Sequence, residues 1–282
     1  MKTELLFKRC TIASIWIGLG GFALLPLLLV LGMSFLKNSP SHLYQWHLTW
    51  QHYLALLDPI YIKLAWRSFL LALQVTFFCL LISYPFAFIL ANSPKKNRSL
   101  LLLLIIIPFW TSSLLRSYAI IMLIQTNGLF NHVLLSLGII QHPLHMLYTN
   151  AAVIIGLVYN LLPFMILPLY SNMEQLNPEL IEAAKDLGAN KTQILFRVLL
   201  PLTFPGILSG CLLVLLPAMT LFFIPDILGG AKSLLLGNLI QMQFFQSSNW
   251  PLGAAISVML TIFMGILLWF YSRQVNMERQ LA

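Results

Sequence analysis

The sequence predicts an all-α polytopic membrane protein: six transmembrane helices in one membrane domain over residues 1–282, with both termini cytoplasmic. Three observations predict it. Of 282 residues, 59% are hydrophobic and only 9% charged, a surface that no water-soluble domain of this length would tolerate. Six apolar stretches, about 12–35, 68–91, 99–124, 151–173, 204–223 and 251–272, each reach the roughly 20 residues that a helix needs to cross a bilayer. The basic residues, finally, gather on one side of those stretches.

With both termini inside, the cytoplasmic segments hold Lys2, Lys8, Arg9, Lys95, Lys96, Arg98, Lys185, Lys191, Arg197, Arg273 and Arg279. The outer loops hold Lys37, Lys63, Arg67 and Lys232, and Arg116 falls within a span; together these are all sixteen basic residues. This is the positive-inside pattern, so the net charge of +8 reports topology and calls for no nucleic-acid partner. The amino terminus is basic and then apolar, as in a signal peptide. The run 12–35 is nevertheless too long and has no small-residue cleavage site, so it is expected to remain as the first span. Cys10, Cys79 and Cys211 form neither a disulfide framework nor a metal spacing, and read as small packing residues.

The first outer loop carries Tyr44, Trp46, Trp50, Tyr53, Tyr61 and Trp66, which suits an aromatic belt with a short interfacial helix. All six histidines, including His142 and His145, fall in outer loops without a carboxylate cluster, so no metal site is expected. The third span contains PFWTSSLLRSYA. Its polar residues Thr111, Ser112, Ser113, Arg116 and Ser117 cannot all face lipid, so one side must meet other helices or a wet cavity. Two readings are open for Arg116: snorkelling to the outer interface, or acting as a gate. The fourth span carries Tyr159, Asn160, Pro163 and Pro168, and the fifth Pro205, Gly206, Gly210 and Pro217. These suit kinks for packing, or breaks where a solute passes. Asp226 follows Pro217, Phe222 and Phe223, and either lines a cation path or caps the outer helix end. In the last outer loop Leu235, Leu239, Met242 and Phe245 recur at helical spacing, which predicts a short helix dipping toward the bilayer.

The one long polar segment is 177–201, NPELIEAAKDLGANKTQILFRVLLP. Asn177 is a good N-cap, Pro178 suits the first helical position, and Gly188 can end a helix in a left-handed conformation. A helix is therefore expected over 178–187, too short to cross a bilayer. Glu179, Glu182 and Asp186 share one face of it, and Leu180, Ala183, Ala184 and Leu187 the other. Asn190 with Gln193 offers a second, capping-box start. A helix resting on anionic lipid carries Lys and Arg on its polar face; this one carries three acids against Lys185. The stripe fits a basic protein partner.

The order Glu182, Ala183, Ala184, then Gly188, then Val198, Leu200 and Pro201 resembles the EAA loop of ABC-importer permease subunits, with Val198 standing where isoleucine is usual. The resemblance implies the type I ABC-importer permease architecture, with this segment as the coupling helix docking on a separate ATPase. Glu182, Ala183, Ala184, Gly188, Leu200 and Pro201 would then be the coupling residues. The PFWTSSLLRSYA stretch, the region 188–210, the GAKSLLLGN stretch and the six-span layout further resemble permeases of spermidine/putrescine importers in bacterial inner membranes. That similarity implies a second permease of the PotC kind, an ATPase dimer of the PotA kind and a periplasmic receptor of the PotD kind. ATP and Mg would be bound by the ATPase, with no cofactor in this chain. Polycations are recognised by carboxylates and aromatic faces. Trp110, Tyr118, Tyr159, Phe222, Phe223 and Asp226 are accordingly the expected path-lining residues.

Two other classes are disfavoured. The chain has no GxxxxGK[ST] pattern, so it is not expected to be an enzyme acting on ATP. An ion-coupled secondary transporter would often show internal repeats, which are not seen, and an intramembrane hydrolase would need a base at membrane depth.

Overall fold

The computed structural model describes the backbone of residues 2–39, 45–230 and 234–281, and within them all side chains except those of residues 2–14, 17, 19, 23 and 274–281. His42, Tyr44 and Lys232 lie outside the described residues, as do the side chains of Lys2, Lys8, Arg9, Cys10 and Arg279. In chain order the elements are α1 (Lys2–Ser34), β1 (Leu36–Lys37), β2 (Gln45–Leu48), α2 (Gln51–Ala55), α3 (Pro59–Asn92), α4 (Lys95–Trp110), α5 (Ser113–Ile124), α6 (Leu129–Ser136), α7 (Asn150–Glu174), α8 (Glu179–Asp186), α9 (Lys191–Ile194), a π segment (Leu195–Leu199), α10 (Leu200–Thr220), a π turn (Pro225–Gly229), α11 (Leu236–Phe245) and α12 (Trp250–Leu281). The chain divides into two units, Met1–Ile62 with Leu239–Ile266, and Lys63–Asn238 with Leu267–Ala282.

In the first unit β1 and β2 pair antiparallel, Leu36 against Leu48. Phe35 stacks on Trp50 at 4.9 Å and on Tyr53 at 5.2 Å. The Tyr53 and Ser34 hydroxyls are 2.7 Å apart. Trp50 and Tyr53, which the sequence assigns to a membrane belt, thus tie α2, the short helix expected there, to the end of α1.

The second unit is built on α7, whose buried residues include Val153, Leu157, Asn160, Leu161, Met165 and Leu169. Its closest neighbour is α10, and small residues set the approach. A Cβ on Gly206 would stand 2.7 Å from Asn172 Cβ, and one on Gly210 would stand 2.6 Å from Met165 Sδ. Van der Waals contact and interhelical hydrogen bonds hold helices together where lipid gives no hydrophobic drive. Tyr84 of α3 accordingly meets Thr203 of α10 at 3.1 Å, and Ser209 of α10 meets Tyr271 of α12 at 2.6 Å.

Among the described residues five segments are long and apolar enough to cross a membrane: Pro59–Asn92, Ser113–Ser136, Asn150–Glu174, Lys191–Thr220 and Trp250–Arg273. The first apolar run of the sequence is helical to Ser34, with Gly20–Ser34 as a shorter apolar helix. The expected span 99–124 is not one helix. It ends at Trp110 and restarts at Ser113, because Thr111 and Ser112 are extended, with ψ of 151° and 135°.

Candidate coupling helix and translocation site

Local chemistry fixes the ends of α8. At its start Asn177 Oδ1 accepts from the Glu179 N–H at 3.1 Å. At its end Gly188 adopts φ +80°, its N–H donates to Lys185 O at 2.8 Å, and the Ala189 N–H donates to Ala184 O at 3.0 Å. This is the Schellman pattern of a helix stop. Open space surrounds the position where a Gly188 Cβ would stand, so the backbone and not crowding demands glycine. Two residues on, Asn190 and Gln193 close a capping box with bonds of 2.8 and 2.9 Å, which starts α9.

Between these fixed ends, α8 buries nothing. Glu182 and Ala183 are exposed, Ala184 is half-buried, and Leu187 is 89% exposed. Capped at both ends, this amphipathic helix leaves both of its faces uncovered. Beyond α9 the chain runs through the π segment, where the Leu200 N–H reaches back to Leu195 O. Pro201 has no N–H to give the Arg197 carbonyl, which loosens the helical register there. Leu200 is half-buried and Pro201 exposed.

A clamp missed in the sequence stands just before this segment. Arg98 donates to Glu174 Oε1 at 2.6 Å, to Ala91 O at 2.6 Å and to Ser93 O at 3.2 Å. One guanidinium therefore joins the end of α3, the first turn of α4 and the end of α7. Its hydrogen bond to Glu174 raises the Arg98 pKa above the ordinary value.

The second candidate region lies at two helix breaks with the same chemistry. Pro108 precedes Thr111, and Pro217 precedes Thr220. The Thr111 hydroxyl donates to Pro108 O at 2.6 Å, and the Thr220 hydroxyl to Pro217 O at 3.2 Å. After each threonine turn the chain leaves the helix, at residues 111–112 and at Leu221 (ψ 117°). At each break the proline carbonyl also accepts a backbone N–H, from Thr111 at 3.3 Å and from Leu221 at 2.9 Å.

The expected path residues distribute around these breaks. Trp110, at the end of α4, is 82% exposed; Tyr118 is 54% and Tyr159 47% exposed. Ser113 donates to Asn160 Oδ1 at 2.9 Å, and Asn160 donates to Gly156 O, which pins the start of α5 to α7. Arg116 is held inside the protein. It is 9% exposed, lies 5.3 Å over the Phe109 ring, and its Nε has no hydrogen-bond partner. At the second break Phe222 and Phe223 are edge to face at 6.2 Å. Asp226 is exposed, and its carboxylate accepts from Asn238, which also donates to Phe222 O at 2.9 Å. The π turn that carries Asp226 packs on α5 and α7. The contact with α7 is made over Gly156, where a Cβ would meet Leu228 Cδ1 at 2.3 Å. Arg116 thus has Phe109 beside it, and Asp226 has Phe222, while Trp110 and Tyr118 join them only through the shared scaffold. The Ser113–Asn160 contact is the meeting with another helix that the polar run TSS after PFW requires, although its partner was not foreseen, and neither was the role of Asn238.

Residues 83–276 match the family described as the binding-protein-dependent transport system inner membrane component. The chain belongs to that permease family. It is similar to the spermidine/putrescine transport system permease protein PotB of Haemophilus influenzae, at 50% identity over 95% of this chain and 93% of the relative. It is likewise similar to PotB of Escherichia coli K12, at 49% identity over 92% and 96% of the two chains. Among solved structures, a chain of the bacterial alginate ABC transporter bound to its alginate-loaded periplasmic protein matches with TM-score 0.73 at 17% identity, over 97% of this chain and 96% of that one. A chain of the inward-facing MetNI methionine ABC transporter matches with TM-score 0.56 at 18% identity, over 76% and 94%. The fold is that of ABC-importer permeases. A permease of this family is a multi-pass inner-membrane transport subunit and not an enzyme, and it works with a separate ATPase and a substrate-binding protein.

Proposed function

We propose that this chain forms half of the translocation path of an ATP-driven importer for spermidine and putrescine. The observation that carries this reading is the identity of about half of all positions, over nearly the full length, to permeases that bear that name. Within the importer the partners are a PotC-like second permease, a PotA-like ATPase dimer that binds ATP and Mg, and a PotD-like periplasmic receptor. The membrane domain runs over the whole of 1–282 with six crossings, α4 and α5 sharing the third, and both termini in the cytoplasm. The basic-residue asymmetry supports that orientation.

In this reading α8 is the coupling helix. Glu182 meets a basic residue of the ATPase, Ala183 and Ala184 let the helix seat closely, and Gly188 sets the turn into α9. Leu200 and Pro201 relay the motion through the π segment into α10. The cation passes the two helix breaks, where Trp110, Tyr118, Tyr159, Phe222 and Phe223 offer aromatic faces and Asp226 a carboxylate. Selective, tight binding belongs to the receptor, so these residues need only a weak, transient hold. Arg116, a buried cation beside that route, suits a gate that resists leakage of small cations when no polyamine is delivered.

Glu182→Arg places a cation opposite the basic partner without touching any buried contact. The variant is expected to insert and assemble normally while spermidine uptake falls at least tenfold, the equivalent of about 1.4 kcal/mol of lost coupling. Uptake at the wild-type rate, with equal amounts of the complex in the membrane, would remove the coupling assignment.

A further inference from the structure

A groove of about 630 Å³ opens beside the coupling helix, between α3 and the chain that leads from α8 into α10. Leu81 and Phe88 form one wall, and Leu195 and Leu199 of the π segment form the other. The hydroxyl of Tyr84, which also lines it, is already bonded to Thr203, so that hydroxyl needs no further partner. Among the described residues the only charged ones lining it are Lys185 and Lys191, one on α8 and one at the start of α9. Lys185 therefore lines the groove, whereas Glu179, Glu182 and Asp186 do not.

We infer that this groove holds an anionic phospholipid of the inner leaflet, with an acyl chain along the apolar walls and its phosphate against Lys185 and Lys191. The inference rests on the reading of 177–201 as a cytoplasmic coupling loop. Charge complementarity selects the occupant. A helix of the second permease would fill apolar walls but leave two lysines unpaired, and Glu182, Ala183 and Ala184, which meet the ATPase in the proposed reading, do not line the groove. Basic pockets between membrane helices on the cytoplasmic side hold anionic headgroups, and each buried methylene of an acyl chain adds to the affinity. The lipid would brace α3 against the π segment, so its presence would set how firmly α8 is tied to α10.

The test uses the whole importer complex, reconstituted in nanodiscs of phosphatidylcholine mixed with phosphatidylglycerol, with retained lipid counted by native mass spectrometry. Wild type is expected to retain phosphatidylglycerol in preference to phosphatidylcholine. Lys185→Gln and Lys191→Gln should each lower that preference about fivefold, corresponding to about 1 kcal/mol per lysine near the membrane surface. Leu81→Trp, which fills the groove but leaves both lysines, should displace the lipid as well. Excess inorganic phosphate should not compete, because it brings no acyl chain. Equal retention of the two lipids, or unchanged retention in the double lysine variant, would overturn the site, as would an oxidant-induced disulfide between Leu81→Cys and a cysteine introduced into a membrane helix of the second permease. The lipid count requires no transport. Its failure with receptor-stimulated hydrolysis intact would sink the lipid site alone, whereas lost stimulation with lipid selectivity intact would sink the coupling reading.

Discussion

Asp226 and Asn238 show how a single side chain can be read two ways. The Asn238 amide holds the Asp226 carboxylate and the Phe222 carbonyl together, which is the work of a cap, yet Asp226 remains exposed, which leaves its charge available. Asp226→Asn separates the two roles, since an amide oxygen still accepts from Asn238 while the charge is gone. Spermidine uptake is expected to fall about tenfold at unchanged membrane abundance, the equivalent of about 1.4 kcal/mol. Wild-type uptake kinetics would make Asp226 a structural cap. At this scale the sequence was most legible where the partner is near in the chain. The left-handed Gly188 and the Asn190–Gln193 box follow from rules that span three or four residues. Asn238 bonds a residue twelve positions away, and Ser113 one forty-seven away, and no local rule points to either.

Helices were legible as lengths of apolar sequence, and their interruptions were not. A hydropathy window averages over Thr111 and Ser112 and returns one span, whereas the Pro-X-X-Thr turn breaks the helix at that point and again after Thr220. The position of α11 was legible from its leucine spacing, but its seating was not. Gly237 lets the first turn of α11 approach the end of α10, and a Cβ there would stand 2.3 Å from the Thr220 carbonyl oxygen. Backbone cannot swing aside as a side chain can, so Gly237→Ala is expected to destabilise the protein by about 1–3 kcal/mol, as overpacking does. Gly265→Ala is the control, because its Cβ would meet nothing within 4 Å and alanine favours helix. Thermal unfolding in detergent should show a lowered Tm for the first variant and none for the second. Equal Tm values would mean that α11 is not seated on α10 as described.

For the molecule as a whole, the apolar composition was enough to predict a helical membrane protein, and the order of residues in the polar segment 177–201 was enough to suggest its family, which the match over residues 83–276 shows. The substrate could not be reached from composition, because aromatic residues and one carboxylate serve many cations. It enters through the overall identity to polyamine permeases. The central claim is that α8, capped at both ends and uncovered on both faces, passes the closure of a separate ATPase to a polyamine path in α4, α5, α7 and α10. ATP hydrolysis by the complex co-purified with this chain, in lipid nanodiscs with and without spermidine-loaded receptor, tests it most directly. Hydrolysis is expected to rise when the loaded receptor is added. An intact complex whose hydrolysis stayed flat would contradict the polyamine assignment, and a purified permease that brought no ATPase with it would contradict the coupling role of α8.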